Sequence, residues 1–455
     1  MLKQQKIFFD FLRFCICSVK ETPDSLKEAD WKELYAIAKK QCLVGILFDG
    51  IKKLPAEHVG MKKELLLQWM AESQMLEKAN VRLNDAAIQV SEWFRKKGFR
   101  TCILKGQGNA LMYPNPYSRT PGDIDIWVEG GDKRVISFVR SISPHEKACY
   151  HHIEFPSYKG VEVEVHYRPS FLLCFWHNRK LQKYYERVKE EQFSHRVMLG
   201  EQGEIAIPTA EFNLIFQLTH IYAHLMNEGI GLRQLLDYYF VVCDFYKVYQ
   251  TSTNHSASFS NHPVIFSNHP VPLSKEGSTF SPSPSSSGSG DVTALRCSEP
   301  LRYKDGGASK PSPGCAGWDR LEMSGEMAAE CAGASATDAC SSSAIDRVQM
   351  ELKELGLWKF AGGIMYIMQE VFGMPASRLI VPPNENYGKF VLNEVLEAGN
   401  FGRHDERNRF GRSKLGHNLQ RVYRDMRLVR YFPAEALSEP IFRTWHFFWR
   451  LKHRR

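Results

Sequence analysis

No run of about 20 apolar residues occurs anywhere in the 455-residue chain, so a transmembrane helix is not expected. The N-terminal stretch MLKQQKIFFDFLRFCICSVK has the look of a leader. However, Asp10 and Arg13 interrupt it and no small-residue cleavage site follows. There is no C-x-x-C pair among the eleven cysteines, and only Cys15 and Cys17 lie close together. Zinc-ribbon knuckles and a disulfide framework are therefore not expected, and a reducing cytoplasm is the simplest compartment. An excess of charge is missing too: the net charge is only +8, with 43% hydrophobic and 24% charged residues, which is ordinary globular composition. A chain this long is expected to hold two to three domains.

Helical periodicity dominates the first 98 residues. Ile7, Phe8, Phe11, Leu12 and Cys15 share one helical face, and Asp30 with Glu33 has the spacing of a capping box ahead of Leu34, Ile37 and Ala38. A long helical pattern from about Lys62 to Lys97 is expected to break once or twice. The period then changes to that of strands: Thr101–Leu104, Asp123–Val128, His152–Phe155 and Val161–His166, the last two joined by a turn over Ser157–Gly160. Lys105-Gly106 ends the first strand, a short helix is expected at Ala110–Met112, and Val135–Val139 suits another. Helical patterning returns from Glu211 to about Tyr249 and again from Asp346 to Phe372. Between them, Thr251–Ser343 is rich in Ser, Pro, Gly and Ala, carries FSNHPV twice, and is expected to be a disordered insertion. Its His262 and His269 read as parts of a duplicated loop rather than as metal ligands.

The chemistry gathers at Gly122-Asp123-Ile124-Asp125. Residues i and i+2 of a strand point to one face, so the two aspartates lie side by side and repel unless a cation joins them. Mg²⁺ is the natural cation, because it favours oxygen ligands and keeps positions for phosphate. Glu162, Glu164 and His166 share a face of another strand and offer the further acid. An Asp-x-Asp alone marks a solvent-facing strand edge more often than a metal site. The surrounding order of strand, Lys-Gly turn, short helix, Arg119, acid pair and later acid strand raises its weight.

Leu104-Lys105-Gly106, Arg119, Gly122-Asp123-Ile124-Asp125 and Glu164-Val165-His166 resemble the bacterial nucleotidyltransferase-like family, an uncharacterised branch of the DNA polymerase β-type nucleotidyltransferase superfamily. The resemblance extends through HIYAHLMNEGIGLRQLLDYY, His220–Tyr239. It implies an α+β fold with a minimal nucleotidyltransferase core, a small mixed sheet with helices, framed by N- and C-terminal helical regions. The expected division is 1–82 helical, 83–200 core, 201–250 with 344–455 helical, and 251–343 disordered. It further implies two divalent ions, Mg²⁺ with Mn²⁺ as the alternative, held by Asp123, Asp125 and Glu164. Glu164 orients or activates an acceptor hydroxyl, and Glu162 is the runner-up in that role. Lys105, Gly106, Arg119 and Gly122 are the implied substrate-binding residues. The implied reaction moves a nucleoside monophosphate from a nucleoside triphosphate to a hydroxyl on a small molecule, a protein or RNA. One departure stands out, because the superfamily's Gly-Ser phosphate cradle reads Gly106-Gln107 here. A noncatalytic nucleotide- or nucleic-acid-binding protein that keeps the fold is the alternative reading.

Weaker signals lie outside this core. His220 and His224 share a helical face, where packed or hydrogen-bonded histidines are commoner than metal ligands without an H-E-x-x-H pattern. Arg233 and Asp237 have the spacing of a helix ion pair that touches substrate only if its face meets the cleft. Residues 403–455 hold 14 Lys and Arg against 5 Asp and Glu, an excess larger than the whole chain's +8. Phe410, Tyr423, Tyr431, Trp445, Phe447, Phe448 and Trp449 are interleaved with them. Nucleic acid or anionic lipid would fit such a surface, but the favoured reading is a basic solvated face whose aromatics are core.

Overall fold

The computed structural model describes residues 3–201, 203–256, 337–407 and 414–453. Helix α1 (Lys3–Cys15) buries the expected face of Ile7, Phe8, Phe11, Leu12 and Cys15. Helix α2 (Trp31–Lys40) starts where the Asp30 carboxylate accepts from the Lys32 and Glu33 amides at 3.0 and 3.1 Å. The box is not reciprocal, because the Asp30 amide donates to Gln4 Oε1 at 3.0 Å instead. After α3 (Val44–Ile51), α4 runs unbroken from Lys63 to Lys96. The expected interruptions are absent: no Gly or Pro lies within it, and so no residue forces a break.

Four strands follow: β1 (Thr101–Ile103), β2 (Ile124–Val128), β3 (His152–Tyr158) and β4 (Val161–His166). The sheet order is β1-β2-β4-β3, with β2 and β4 parallel and both outer pairings antiparallel. Lys159 and Gly160, at φ 49° and 77°, make the left-handed turn that a tight hairpin between β3 and β4 needs. Short α5 (Gln107–Ala110) lies between β1 and β2, and α6 (Gly131–Ile142) between β2 and β3. Helix α7 (Phe175–Ser194) leads to the two-stranded β5 (Arg196–Leu199) and β6 (Gly203–Ala206). Then come α8 (Ala210–Asn227), α9 (Leu232–Ser256), α10 (Thr337–Glu354), α11 (Trp358–Glu370), α12 (Glu385–Ala398), α13 (Lys414–Leu428) and α14 (Pro433–Lys452). The fold is thus α+β, a small mixed sheet among helices. Residues 257–336, most of the expected insertion and both FSNHPV copies, lie outside the described residues, whereas 251–256 and 337–343 extend α9 and α10.

Strand alternation sorts the sheet into two faces. Ile103, Ile124, Ile126, Val128, Ile153, Phe155, Val163 and Val165 pack on the second half of α4 and on Val135, Ile136 and Val139 of α6. The opposite face sends Cys102, Leu104 and Trp127 into the helical core. There the Trp127 ring lies 4.7 Å from that of Phe193 and 6.0 Å from that of Phe212. Such ring pairs stabilise by about 0.5–1.5 kcal/mol each beyond area burial. This second face also carries the acids.

The basic C-terminal helices differ from expectation. Tyr423, Trp445, Phe447 and Phe448 are exposed on α13 and α14 rather than forming core, whereas Tyr431 and Trp449 are partly buried and pack against the cores, and Phe410 lies outside the described residues. Among the described residues, no helix is long and apolar enough to cross a membrane.

Candidate active site

Parallel pairing of β2 with β4 sets Asp125 directly opposite Glu164. Asp123 stands two residues earlier, just ahead of β2, so it projects to the same side. Ligand oxygens of Asp123, Asp125 and Glu164 all lie within 4.8 Å of one another. Glu162 is exposed and outside this set. Asp125 is almost completely buried, Glu164 is partly open, and Gly122 is exposed, so the cluster faces solvent along one side.

Three carboxylates this close require positive charge nearby. Lys105 Nζ is 3.1 Å and His166 Nε2 3.0 Å from the same oxygen, Asp125 Oδ1. His166 Nε2 is also 3.4 Å, and His152 Nδ1 3.6 Å, from Glu164 Oε2. Burial disfavours the Lys105 ammonium, but Asp125, Asp123 and Glu164 outweigh it and raise its pKa. Burial likewise opposes ionisation of Asp125 and Glu164. For Asp125, Lys105 and His166 overcome it; for Glu164, His152, His166 and Lys105 do, and both carboxyls sit below their ordinary range. Asp125 Oδ2 remains buried without a hydrogen-bond partner. An orphaned carboxylate oxygen beside two further carboxylates is a donor set that fits a hard divalent cation.

Lys105 enters this site from the turn after β1. The Leu104 amide donates to Asp125 O at 3.0 Å, tying the turn to the acid strand, and the Gly106 carbonyl accepts from the Ala110 amide at 3.0 Å. Gly106 has φ +64°, a conformation that favours glycine. Gln107, at the position of the superfamily's serine, is buried and donates to Asn84 Oδ1, so its side chain belongs to the core. Lys105 Nζ also lies 2.9 Å from His220 Nε2, which in turn is 3.0 Å from His224 Nε2. Burial and the Lys105 charge hold the His220 pKa well below its usual value, so its ring is neutral and accepts from the ammonium.

Arg119 is not brought to the acids. Its Nε and Nη2 donate to the two oxygens of Asp237 at 2.8 Å each, and Tyr113 donates to Asp237 Oδ1 at 2.6 Å. Asn80 Nδ2 meets the carbonyls of Tyr117 and Arg119, each at 2.8 Å. These contacts fasten the segment that delivers Gly122 and the aspartates. Arg233, one turn before Asp237 on α9, donates to the Thr120 carbonyl at 3.1 Å and passes near Gly122. His152, His166 and His220 were not singled out by sequence as site residues. His166 was legible as sharing a face with Glu164; the approach of His220 to Lys105, 115 residues away, had no local signal.

Residues 27–248 match the model of a family described as an uncharacterised nucleotidyltransferase. This span runs from the N-terminal helices through the sheet to α9, and it includes the acid cluster, Lys105, Arg119 and the α8 histidines. No curated protein and no solved structure matches the chain.

Proposed function

Because residues 27–248 match the model of a nucleotidyltransferase family, we propose that this protein transfers a nucleoside monophosphate from a nucleoside triphosphate to a hydroxyl acceptor in a Mg²⁺-dependent reaction. The observation that carries this reading is the convergence of Asp123, Asp125 and Glu164 with an unpartnered buried oxygen on Asp125. Asp123 and Asp125 would hold the metal, with Glu164 as the third carboxylate. Mg²⁺, or Mn²⁺ in its place, would supply charge neutralisation for the attacking and leaving oxygens. Glu164, ionised and partly open, orients the acceptor hydroxyl and takes its proton as oxygen bonds to the α-phosphorus. The bond from the α-phosphorus to the bridging oxygen breaks, and pyrophosphate leaves. Lys105 exchanges Asp125 for the outer phosphates, and the backbone at Gly106 accompanies it. Exposed Gly122 admits the substrate closely, while Arg119 holds the loop through Asp237 instead of reaching the substrate. The acceptor is a small molecule, a protein or an RNA end. Seven described cysteines are free, which supports a reducing, cytoplasmic setting.

One observation favours the second reading, a noncatalytic nucleotide-binding descendant: the core-directed Gln107 in place of a phosphate-binding serine. Transfer of label from α-labelled nucleoside triphosphates, with Mg²⁺ or Mn²⁺, to fractions of a cell extract separates the two. Transfer that vanishes in a folded Asp123→Asn/Asp125→Asn variant is the expected result. Absence of both transfer and metal-dependent nucleotide binding leaves the noncatalytic reading.

A further inference from the structure

Beyond the carboxylates, the same face of the sheet ends in side chains of different chemistry. Cys149, His151 and His152, at the entrance to β3, bring ligand atoms within 4.8 Å of one another. Cys149 Sγ is 3.5 Å from His151 Nδ1, and His151 Nε2 is 3.0 Å from His152 Nδ1. The backbone that carries them is fixed. The Cys149 amide donates to His152 O at 2.9 Å, and the Tyr167 and Arg168 amides donate to His151 O at 3.0 and 3.1 Å. The Tyr167 hydroxyl donates to the Cys149 carbonyl. Helix α14 covers this loop, with the Tyr150 ring 5.6 Å from that of Phe442 and 5.5 Å from that of Trp445. His446, on the same helix, has a buried Nε2 without a hydrogen-bond partner and is near enough to feel the charges of Cys149 and His152.

We propose that Cys149, His151 and His152, completed by His446, form a site for a borderline-soft divalent cation of the zinc type. A thiolate and imidazoles select such an ion over Mg²⁺, whereas the neighbouring all-carboxylate set has the opposite preference. Binding needs the thiolate and neutral imidazoles, so the proton held within this cluster passes to solvent as the ion enters. Tetrahedral zinc needs four ligands in a structural site, and the orphaned His446 nitrogen is the donor to fill the fourth position. The consequence is a staple, because three ligands belong to the loop at the sheet edge and the fourth to α14. His152 also lies beside Glu164, so the staple would fix one wall of the acid site.

Cobalt substitution of the full chain tests this directly. Co²⁺ bound at the site gives a thiolate-to-cobalt charge-transfer band, which zinc abolishes on addition. Cys149→Ser should lose the band, and His151→Gln and His446→Gln should weaken metal affinity by about tenfold or more. His151→Gln leaves the sulfur in place and keeps the test decisive if the serine variant fails to fold. Asp123→Asn/Asp125→Asn should keep the band, which separates this site from the carboxylate cluster. No thiolate band in the folded wild type, or a band unchanged by the cysteine and histidine substitutions, would overturn the proposal. So would zinc binding lost only with the aspartates.

Discussion

Two cation–carboxylate pairs, Lys105–Asp125 and Arg119–Asp237, take their cations from the same short stretch of chain and behave differently. Arg119 and Asp237 are 3% and 6% exposed and pair bidentately, Nε and Nη2 on the two carboxylate oxygens, with Tyr113 as a further donor to Asp237. Lys105 is 19% exposed, is shared with His220, and meets only one oxygen of Asp125, leaving the other unpartnered. A bidentate guanidinium–carboxylate pair is a closed unit, suited to holding a loop. An ammonium is a point charge that can leave one oxygen for another. The first pair is therefore structural, and the second is the one that the proposed metal site needs to be exchangeable.

The largest effect follows from breaking the closed pair. Arg119→Met or Asp237→Leu strands a buried charge and should cost about 3–5 kcal/mol in urea unfolding. The double substitution should recover much of that, since both charges go together. Asp125→Asn should change stability by no more than about 1 kcal/mol, because Asp123 and Glu164 still face Lys105 and active-site acids destabilise their own fold. A cost equal to that of Asp237→Leu would erase the contrast. The smallest effect is on pH dependence. Burial works to raise the Asp237 pKa, and the Arg119 and Arg233 charges outweigh it, so the group titrates below its usual range. A depressed folded-state pKa contributes stability above the unfolded value of about 3.9, and that contribution is lost as pH falls through the folded one. The urea midpoint of wild type should thus fall more steeply below about pH 4 than that of the Arg119→Met/Asp237→Leu variant.

The strands and their acid face were legible because a two-residue period needs only a few neighbouring residues to read. Asp123, Asp125, Glu164 and His166 were each placed on a face correctly for that reason. Which strand lies beside which was not legible. Setting Asp125 opposite Glu164 depends on a parallel crossover through α6 and β3. The same limit hid the reach of His220 to Lys105 and of Asp237 to Arg119, which arises only when α8 and α9 pack beside the sheet. The exposed aromatics of α14 misled for a related reason: amphipathic patterning locates an apolar face without saying what covers it.

The claim that Asp123, Asp125 and Glu164 form an open site for a hard cation and a nucleotide is tested most directly by Mn²⁺ binding, read by electron paramagnetic resonance with a non-hydrolysable nucleoside triphosphate present. Wild type and Asp237→Glu should immobilise the ion, and Asp123→Asn/Asp125→Asn should not. Equal Mn²⁺ binding by wild type and the double asparagine variant would contradict the account.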